Sequence, residues 1–336
     1  MIRTIQKLVD PEDVDVVLPH EHVLHNIGAN VAIISSQKSL EIRIEDLIDY
    51  RHAPFAHGGR NMLLQNEDEA FRELERLQRS NSSKQVILVV DVTLPVEGRD
   101  LLVNKRLSLA KRLKDVHLLT VSTVETTLMN DIVNSGLSIE DQSERIANML
   151  EAELIYGIKR EECVAYPGAI YQQIELSGKK MNAQEQVLIR GLAMAQARTH
   201  APVYLSFSVD EKIEPFNFKD IIREWIKVLT DAGAERRKLV LCHADRYCHG
   251  ESEGSDLSFL IELLDFGITI LFDTIGLLAL SFDEDCNFNK GQAPLSSPDA
   301  LVYQRAAADS VPTLRGSMEA DGVQECRGPI VVVHSP

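Results

Sequence analysis

Short apolar segments rich in β-branched residues alternate with longer amphipathic segments along almost the whole chain, and this alternation constrains the fold most strongly. The apolar segments have the length of strands buried on both faces, and the amphipathic ones repeat apolar residues at the helical period. Predicted strands cover residues 15–22, 85–94, 116–123, 164–175, 202–209, 238–244, 268–273 and 329–335. Predicted helices cover residues 69–77, 99–114, 139–158, 183–199, 216–232, 256–265 and 298–311.

Eight strands, each separated from the next by a helical segment, predict an α/β fold of the (β/α)₈ TIM barrel type. The sequence has no internal repeat and no linker rich in proline, glycine and serine, so residues 1–336 are expected to form one domain. Residues 26–60 and 280–298 are expected to be loop insertions. If 329–335 is the eighth strand, the barrel lacks its last helix, which implies either a covering partner or a truncated product.

Charge and composition narrow the classes of partner. A net charge of −16 argues against binding nucleic acid or an anionic membrane surface, because phosphate groups would be repelled. No apolar run approaches the length that spans a bilayer, and the first residues lack the apolar core of a signal peptide. The five cysteines are scattered and odd in number, which is typical of reduced thiols in a cytoplasmic protein.

A pair of histidines follows the first predicted strand. Side chains alternate along a strand, so His20 and His22 are expected to point to the same side at its end. Two imidazoles on one face can hold a metal ion between them, and His25 lies in the same segment. A pair of surface histidines in a loop is the alternative.

A third histidine, His243, closes the strand that begins at Lys238. In a (β/α)₈ barrel the site lies at the carboxyl ends of the strands, so His243 is expected at the same mouth as His20 and His22. Asp245, two residues further on, is a candidate partner for an N–H of the His243 ring. Asp273, at the end of the seventh strand, is expected either to face the pocket or to anchor a loop.

Six short motifs extend over essentially the whole chain at barrel spacing. They are Leu18-Pro19-His20-Glu21-His22-Val23, Val90-Asp91-Val92-Thr93, Gly98-Arg99-Asp100, Ala201-Pro202-Val203, His243-Ala244-Asp245-Arg246 and Phe272-Asp273-Thr274-Ile275-Gly276. With these motifs the chain resembles the phosphotriesterase family of the amidohydrolase superfamily, in its phosphotriesterase-related branch. The His-Glu-His and Gly-Arg-Asp motifs together are the most specific.

The resemblance implies a metal-dependent hydrolase of the barrel type with two divalent ions, usually zinc. It places His20 and His22 on one ion and His243 on the other, with a bridging lysine or glutamate on strand four and an aspartate on strand eight. Such ions generate a hydroxide near neutral pH and polarise a phosphoryl or carbonyl oxygen. The implied partner is a small-molecule substrate, and a homo-oligomer is left open.

The sequence departs from that pattern at three positions. Gln173 stands where the bridging residue belongs, Ser206 where strand five carries a histidine, and Ser335 where strand eight carries the aspartate. Glu175 lies two residues beyond Gln173, on the same face, and is a candidate ligand in its place. The candidate metal ligands are therefore His20, His22, His243 and Glu175.

Three hypotheses remain open. The first is a zinc-dependent hydrolase that attacks an ester, lactone, amide or phosphoester with metal-bound water. The second is a catalytically impaired or inactive barrel that binds at most one metal. The third is a partial gene product without a stable fold.

The Gly-Arg-Asp segment offers charged side chains that resemble an acid and base set. Because the resemblance places this turn at the start of the helix after strand two, Asp91, Arg99 and Asp100 are expected to cap that helix and order its loop.

Overall fold

The computed structural model describes residues 1–26, 43–47, 63–80, 85–176, 181–209, 218–248, 257–273 and 330–332. The strands in this part of the chain are β1 (Ile2–Arg3), β2 (Leu8–Val9), β3 (Val16–Glu21), β4 (His25–Asn26), β5 (Leu63–Leu64), β6 (Ile87–Asp91), β7 (Val116–Ser122), β8 (Ile158–Arg160), β9 (Cys163–Ala165), β10 (Pro167–Leu176), β11 (Val203–Val209), β12 (Leu239–Leu241), β13 (Thr269–Phe272) and β14 (Ile330–Val332).

The α-helices of the described residues are α1 (Glu67–Ser80), α2 (Val103–Arg112), α3 (Thr126–Val133), α4 (Ile139–Tyr156), α5 (Ala183–Thr199), α6 (Phe218–Asp231) and α7 (Ser258–Phe266). All eight predicted strands are present in β3, β6, β7 and β10–β14, and helices alternate with most of them. The predicted α/β fold of the (β/α)₈ type is confirmed. The predicted helix at 298–311 and the predicted loop at 280–298 lie outside the described residues, as does most of 26–60.

The chain divides into two compact units. Unit 1 comprises Met1–Glu125 and Met149–Ile170, and unit 2 comprises Thr126–Asn148 and Tyr171–Pro336. The division between Ile170 and Tyr171 falls inside β10, so this strand belongs to both units. The expectation of a single domain stays a prediction.

Unit 1 is built on parallel strands in the order β3, β6, β7 and β10. The register pairs Val17 with Leu88 and Leu88 with His117. All five residues of β6 are buried. This explains why β6 reads in the sequence as one continuous apolar run: a parallel strand covered on both faces has no polar side to display.

Three antiparallel pairs in unit 1 were not predicted. They are β1 with β2, β4 with β5 and β8 with β9. Each strand has two or three residues, which is too short for a period of two to stand out in the sequence. The pairing of β4 with β5 joins Asn26 to Leu63, on either side of residues 27–62, of which the structure describes 43–47.

Unit 2 contains parallel strands in the order β10, β11, β12, β13 and β14. Helix α6 belongs to this unit and buries a stripe with helical spacing, which accounts for its clear amphipathic pattern. The buried residues of that stripe are Ile221, Ile222, Trp225, Ile226 and Leu229. The Trp225 ring meets the Phe207 ring of β11 edge to face, with ring centroids 5.7 Å apart.

Helix α5 begins and ends at well-defined caps. The Asn182 side chain accepts from the backbone N–H of Glu185 at 2.8 Å, and the Glu185 carboxylate accepts from the N–H of Asn182 at 2.9 Å. This reciprocal capping box satisfies two donors that a helix start leaves unpaired. At the other end His200 adopts a left-handed conformation, with φ of 57°, and caps the helix. His200 therefore has a structural role.

Gly191 gives a first prediction, because α5 approaches α4 closely at this residue. A Cβ at Gly191 would lie 2.5 Å from Cγ2 of Ile146 and 3.0 Å from the carbonyl oxygen of Ser143. Helix propensity alone would favour alanine by about 1 kcal/mol. Overpacking costs about 1–3 kcal/mol, so Gly191→Ala is expected to lower the free energy of unfolding. Denaturant unfolding followed by the fluorescence of Trp225, the one tryptophan, checks this; a stabilised variant would contradict it.

No helix within the described ranges combines the length and apolar character needed to cross a membrane.

Candidate functional site

His20 and His22 lie where β3 ends, in unit 1. The ladder between β3 and β6 is regular from Val16 to Leu18 and shifts register before Glu21. Pro19 lies within the shift and has no N–H to donate, which accounts for the break in the ladder. Such irregularities redirect side chains at strand ends, and here the break falls beside His20.

The two rings are close enough to share an ion. The ring centroids of His20 and His22 lie 5.9 Å apart, with planes tilted by 53°. Two imidazoles bound through nitrogen at about 2.1 Å, at a near-tetrahedral angle, would have ring centres about 5–6 Å apart. The observed separation fits this requirement. The His25 ring lies 6.1 Å from that of His22, in an edge-on orientation.

The surroundings of His22 keep its ring neutral. Burial, followed by the neighbouring His20, lowers the pKa of His22 to about 3. A neutral imidazole retains the lone pair that binds a metal ion, whereas a protonated one repels the ion. Nδ1 of His22 lies 3.3 Å from Oγ1 of Thr93 and 3.6 Å from Oε2 of Glu97. Burial raises the pKa of Glu97 above its usual value.

A buried ion pair between Arg106 and Asp91 lies in the same part of unit 1. Nε of Arg106 donates to Oδ2 of Asp91 at 2.7 Å, and other guanidinium nitrogens donate to the carbonyl oxygens of Arg99 and Leu24. Burial opposes ionisation of Asp91, but Arg106 and the hydroxyl of Thr93 outweigh it and hold the pKa of that carboxyl below its usual value. Asp91 is therefore an ionised group whose two carboxylate oxygens are engaged by Arg106 and Thr93.

The Gly-Arg-Asp segment orders a loop, as predicted, but does not cap the following helix. Nη1 of Arg99 donates to the carbonyl oxygen of Val121 at 2.8 Å, and Nε donates to Asp100 at 2.7 Å. Asp100 also pairs with Arg160. Helix α2 has Leu102 as its N-cap residue, so the predicted cap is wrong. Two guanidinium groups engage the Asp100 carboxylate, two residues before the cap position.

His243 and Asp273 form a closely bonded pair in unit 2. His243 follows β12 with φ of 56°, a left-handed conformation that is uncommon for a residue with a side chain. Its backbone N–H donates to Oδ1 of Asp273 at 2.9 Å, and Nδ1 of its ring lies 2.8 Å from the same oxygen. Because a carboxylate only accepts, Nδ1 carries the proton, and in the neutral ring the lone pair is on Nε2. Histidine ligands in metal sites are typically held in this way.

The sequence favoured Asp245 as the partner of the His243 ring, whereas Asp273 makes that contact. Thr93 and Glu97, which approach His22, were also not assigned this role. The position of Thr93 at the end of β6 was an available signal. Glu97 had none, because it lies in a three-residue 3-10 helix after that strand, which is too short to show a sequence period.

The remaining predicted positions differ in exposure. Gln173 and Glu175 lie on the exposed side of β10, alternating with buried Ile174 and Leu176. Ser206 is buried in β11. Ser335 lies outside the described residues.

Comparisons with known proteins agree on one family. A family model described as the phosphotriesterase family matches residues 1–288. The chain is 22% identical over 295 residues to an N-acetyltaurine hydrolase of Danio rerio, with 85% of this chain and 75% of that protein covered. It is 24% identical over 296 residues to a phosphotriesterase-related protein of Nematostella vectensis, with 84% and 74% covered.

Solved structures share the fold. A mutant organophosphorus hydrolase of Deinococcus radiodurans matches with a TM-score of 0.61 and 19% identity, over 99% of this chain and 78% of that one. A lactonase of Listeria monocytogenes matches with a TM-score of 0.59 and 15% identity, over 98% and 81%. Since the family model extends over most of the 336 residues, the chain belongs to the phosphotriesterase family, a family of metal-dependent hydrolases.

Proposed function

We propose that this protein is a zinc-dependent hydrolase acting on an ester, lactone, amide or phosphoester bond. The observation that carries the proposal is the pair His20 and His22, with ring centroids 5.9 Å apart and with His22 kept neutral by burial. Neutral imidazole is a ligand well suited to zinc. Bound zinc would supply a water of lowered pKa and polarise the oxygen of the scissile group.

The proposed metal ligands are His20, His22, His243 and Glu175. His20 and His22 of unit 1 bind one ion through their imidazoles. His243 of unit 2 binds through Nε2, because Asp273 holds its Nδ1–H at 2.8 Å. Glu175 is retained as a further proposed ligand; its carboxylate would supply negative charge that Gln173 does not.

The substrate proposal covers four bond types. The name of the Danio rerio relative specifies hydrolysis of N-acetyltaurine, which supports testing amides first. The screen should include N-acetyltaurine, an aryl ester, a γ-lactone and a phosphotriester at equal concentrations. The proposed partner is thus a small molecule. A reducing, cytoplasmic compartment is also proposed, since Cys163, Cys242 and Cys248 are free thiols.

A second candidate is a catalytically impaired or inactive barrel that binds at most one metal. The observations that favour it are the exposed Gln173 and the buried Ser206, at positions where the family resemblance implies ligands. A neutral amide or hydroxyl does not offset the charge of two divalent ions as a carboxylate does. The two candidates therefore differ in the metal content they predict.

Metal content by inductively coupled plasma mass spectrometry, after zinc loading and dialysis, tests the proposal. The working hydrolase is expected to retain about two ions per chain, and the impaired barrel about one or none. His20→Ala/His22→Ala is expected to remove one ion and His243→Ala the other.

His117→Ala is the matched control, because this variant removes a partly buried imidazole of β7, in the same unit as His20. Its metal content is expected to equal that of the unmodified protein. Undiminished metal in the His20→Ala/His22→Ala variant would overturn the proposed ligands. At most one bound ion together with no turnover in the screen would favour the inactive candidate.

A further inference from the structure

A chain of hydrogen bonds leads from a buried arginine to the His22 ring within unit 1. Arg106 donates to Oδ2 of Asp91 at 2.7 Å. The other oxygen, Oδ1 of Asp91, receives the Thr93 N–H at 3.1 Å and the Thr93 hydroxyl at 2.5 Å. Oγ1 of Thr93 then lies 3.3 Å from Nδ1 of His22. His22 and Thr93 follow the ends of β3 and β6, which are neighbours in the sheet, Asp91 is the last residue of β6, and Arg106 lies on α2.

The positions of the protons follow from what each group can donate. Asp91, ionised beside Arg106, can only accept, so the short contact with Thr93 uses the single hydroxyl proton of the threonine. Oγ1 therefore presents only lone pairs to His22. The contact between Oγ1 and Nδ1 can be a hydrogen bond only if Nδ1 carries a proton. The neutral His22 ring then has its lone pair on Nε2.

We propose that Thr93 and Asp91 are positioning residues that fix His22 in the Nδ1–H tautomer, so that Nε2 is available to a divalent cation. This inference rests on the proposed function in taking His22 as a ligand. Arg106 contributes by holding Asp91 in place, with the carboxyl oxygen Oδ1 turned to Thr93. A ring without an acceptor at Nδ1 divides its population between two tautomers, and only one of them can bind the ion through Nε2.

Glu97 is the competing acceptor for the same ring nitrogen. Its Oε2 lies 3.6 Å from Nδ1 of His22, beyond hydrogen-bonding distance, and it accepts the N–H of Leu94 at 2.9 Å. Thr93 is the nearer acceptor, and its proton is already committed to Asp91. The geometry therefore favours Thr93 over Glu97.

Thr93→Val tests the assignment, because valine preserves the shape of the side chain and removes the hydroxyl. Long-range ¹H–¹⁵N NMR of the metal-free protein, with His22→Ala to assign the signals, reports which ring nitrogen carries the proton. The zinc dissociation constant follows from competition with a chelator. Thr93→Val is expected to lose the Nδ1–H signature and to bind zinc about 10–100-fold more weakly. Thr93→Ser, which keeps the hydroxyl, is expected to retain both the Nδ1–H signature and the zinc affinity of the unmodified protein.

Thr120→Val is the matched control. Thr120 lies on β7 directly across from Asp91, and within the described residues its buried hydroxyl has no hydrogen-bond partner. Removing that hydroxyl is expected to leave the His22 tautomer and the zinc affinity unchanged. If Thr93→Val does not fold, Thr93→Ala removes the same hydroxyl without a branched side chain and is measured in the same way.

Two results would overturn the inference. One is an unchanged His22 tautomer in the folded Thr93→Val or Thr93→Ala protein. The other is loss of the Nδ1–H signature in Glu97→Gln but not in the Thr93 variants, which would assign the ring to Glu97. The tautomer is read without metal, so a protein that binds no zinc would end the proposed function while leaving the role of Thr93 established.

Discussion

Replacing Arg106 by leucine is expected to lower the free energy of unfolding by about 3–5 kcal/mol. The Arg106 side chain is 1% exposed, and the Asp91 side chain is 2% exposed. Removing the guanidinium leaves a buried carboxylate without its counter-charge and leaves two buried carbonyl oxygens without their donor. The loss of stability comes mainly from leaving these buried groups unpaired and only partly from the lost attraction between Arg106 and Asp91.

Urea unfolding followed by far-UV circular dichroism measures this loss as a lower midpoint at an unchanged slope. Arg112→Leu is the matched control on the same helix, α2. Arg112 pairs with Glu67 and Asp68 at the surface, where water replaces the lost contacts, and its removal is expected to have a far smaller effect. Equal losses in the two variants would show that burial does not decide the cost.

Replacing Trp225 by alanine is expected to lower the free energy of unfolding by about 3–5 kcal/mol, through a cavity in unit 2. The Trp225 side chain is fully buried and packs on Phe207. Its loss removes the largest buried side chain among the described residues, together with an edge-to-face ring contact. Circular dichroism is the suitable probe, since the variant has no tryptophan left.

Two further variants test whether the cavity left in Trp225→Ala causes the loss of stability. Trp225→Phe is expected to lose much less, because it keeps a ring against Phe207 and removes an indole N–H that has no partner among the described residues. Ile261→Ala on α7 removes an apolar side chain that is 38% exposed and should also have a small effect. A loss in Ile261→Ala as large as that in Trp225→Ala would contradict the cavity explanation.

Helices and strands could be predicted where the sequence shows a hydrophobic period or helix-capping residues. Helix α5 was predicted over 183–199 and has those bounds, because Asn182 and Glu185 cap its start. Strand β12 is shorter than predicted, ending at Leu241 before the left-handed His243. Helix α3 was not predicted: it is short and begins with two β-branched threonines, which have low helix propensity.

The candidate site was predictable in its histidines and not in their partners. Strand alternation predicts that His20 and His22 point to the same side, and their ring centroids lie 5.9 Å apart. The partners depend on contacts between distant parts of the chain: Thr93 lies 71 residues from His22, and Asp273 lies 30 residues from His243. Asp245 was a candidate partner for His243 because it is near in sequence, but His243 itself is left-handed, which changes the direction of the chain before Asp245.

The sequence by itself determined the alternation of strands and helices and the imidazoles available to a metal ion. Both follow from local properties, namely hydrophobic period, backbone geometry and the chemistry of a short motif. The tertiary structure decided which oxygen holds each imidazole, and therefore which nitrogen presents its lone pair. That outcome depends on strand register, on the break at Pro19 and on the buried pair of Asp91 and Arg106, none of which has a local signature.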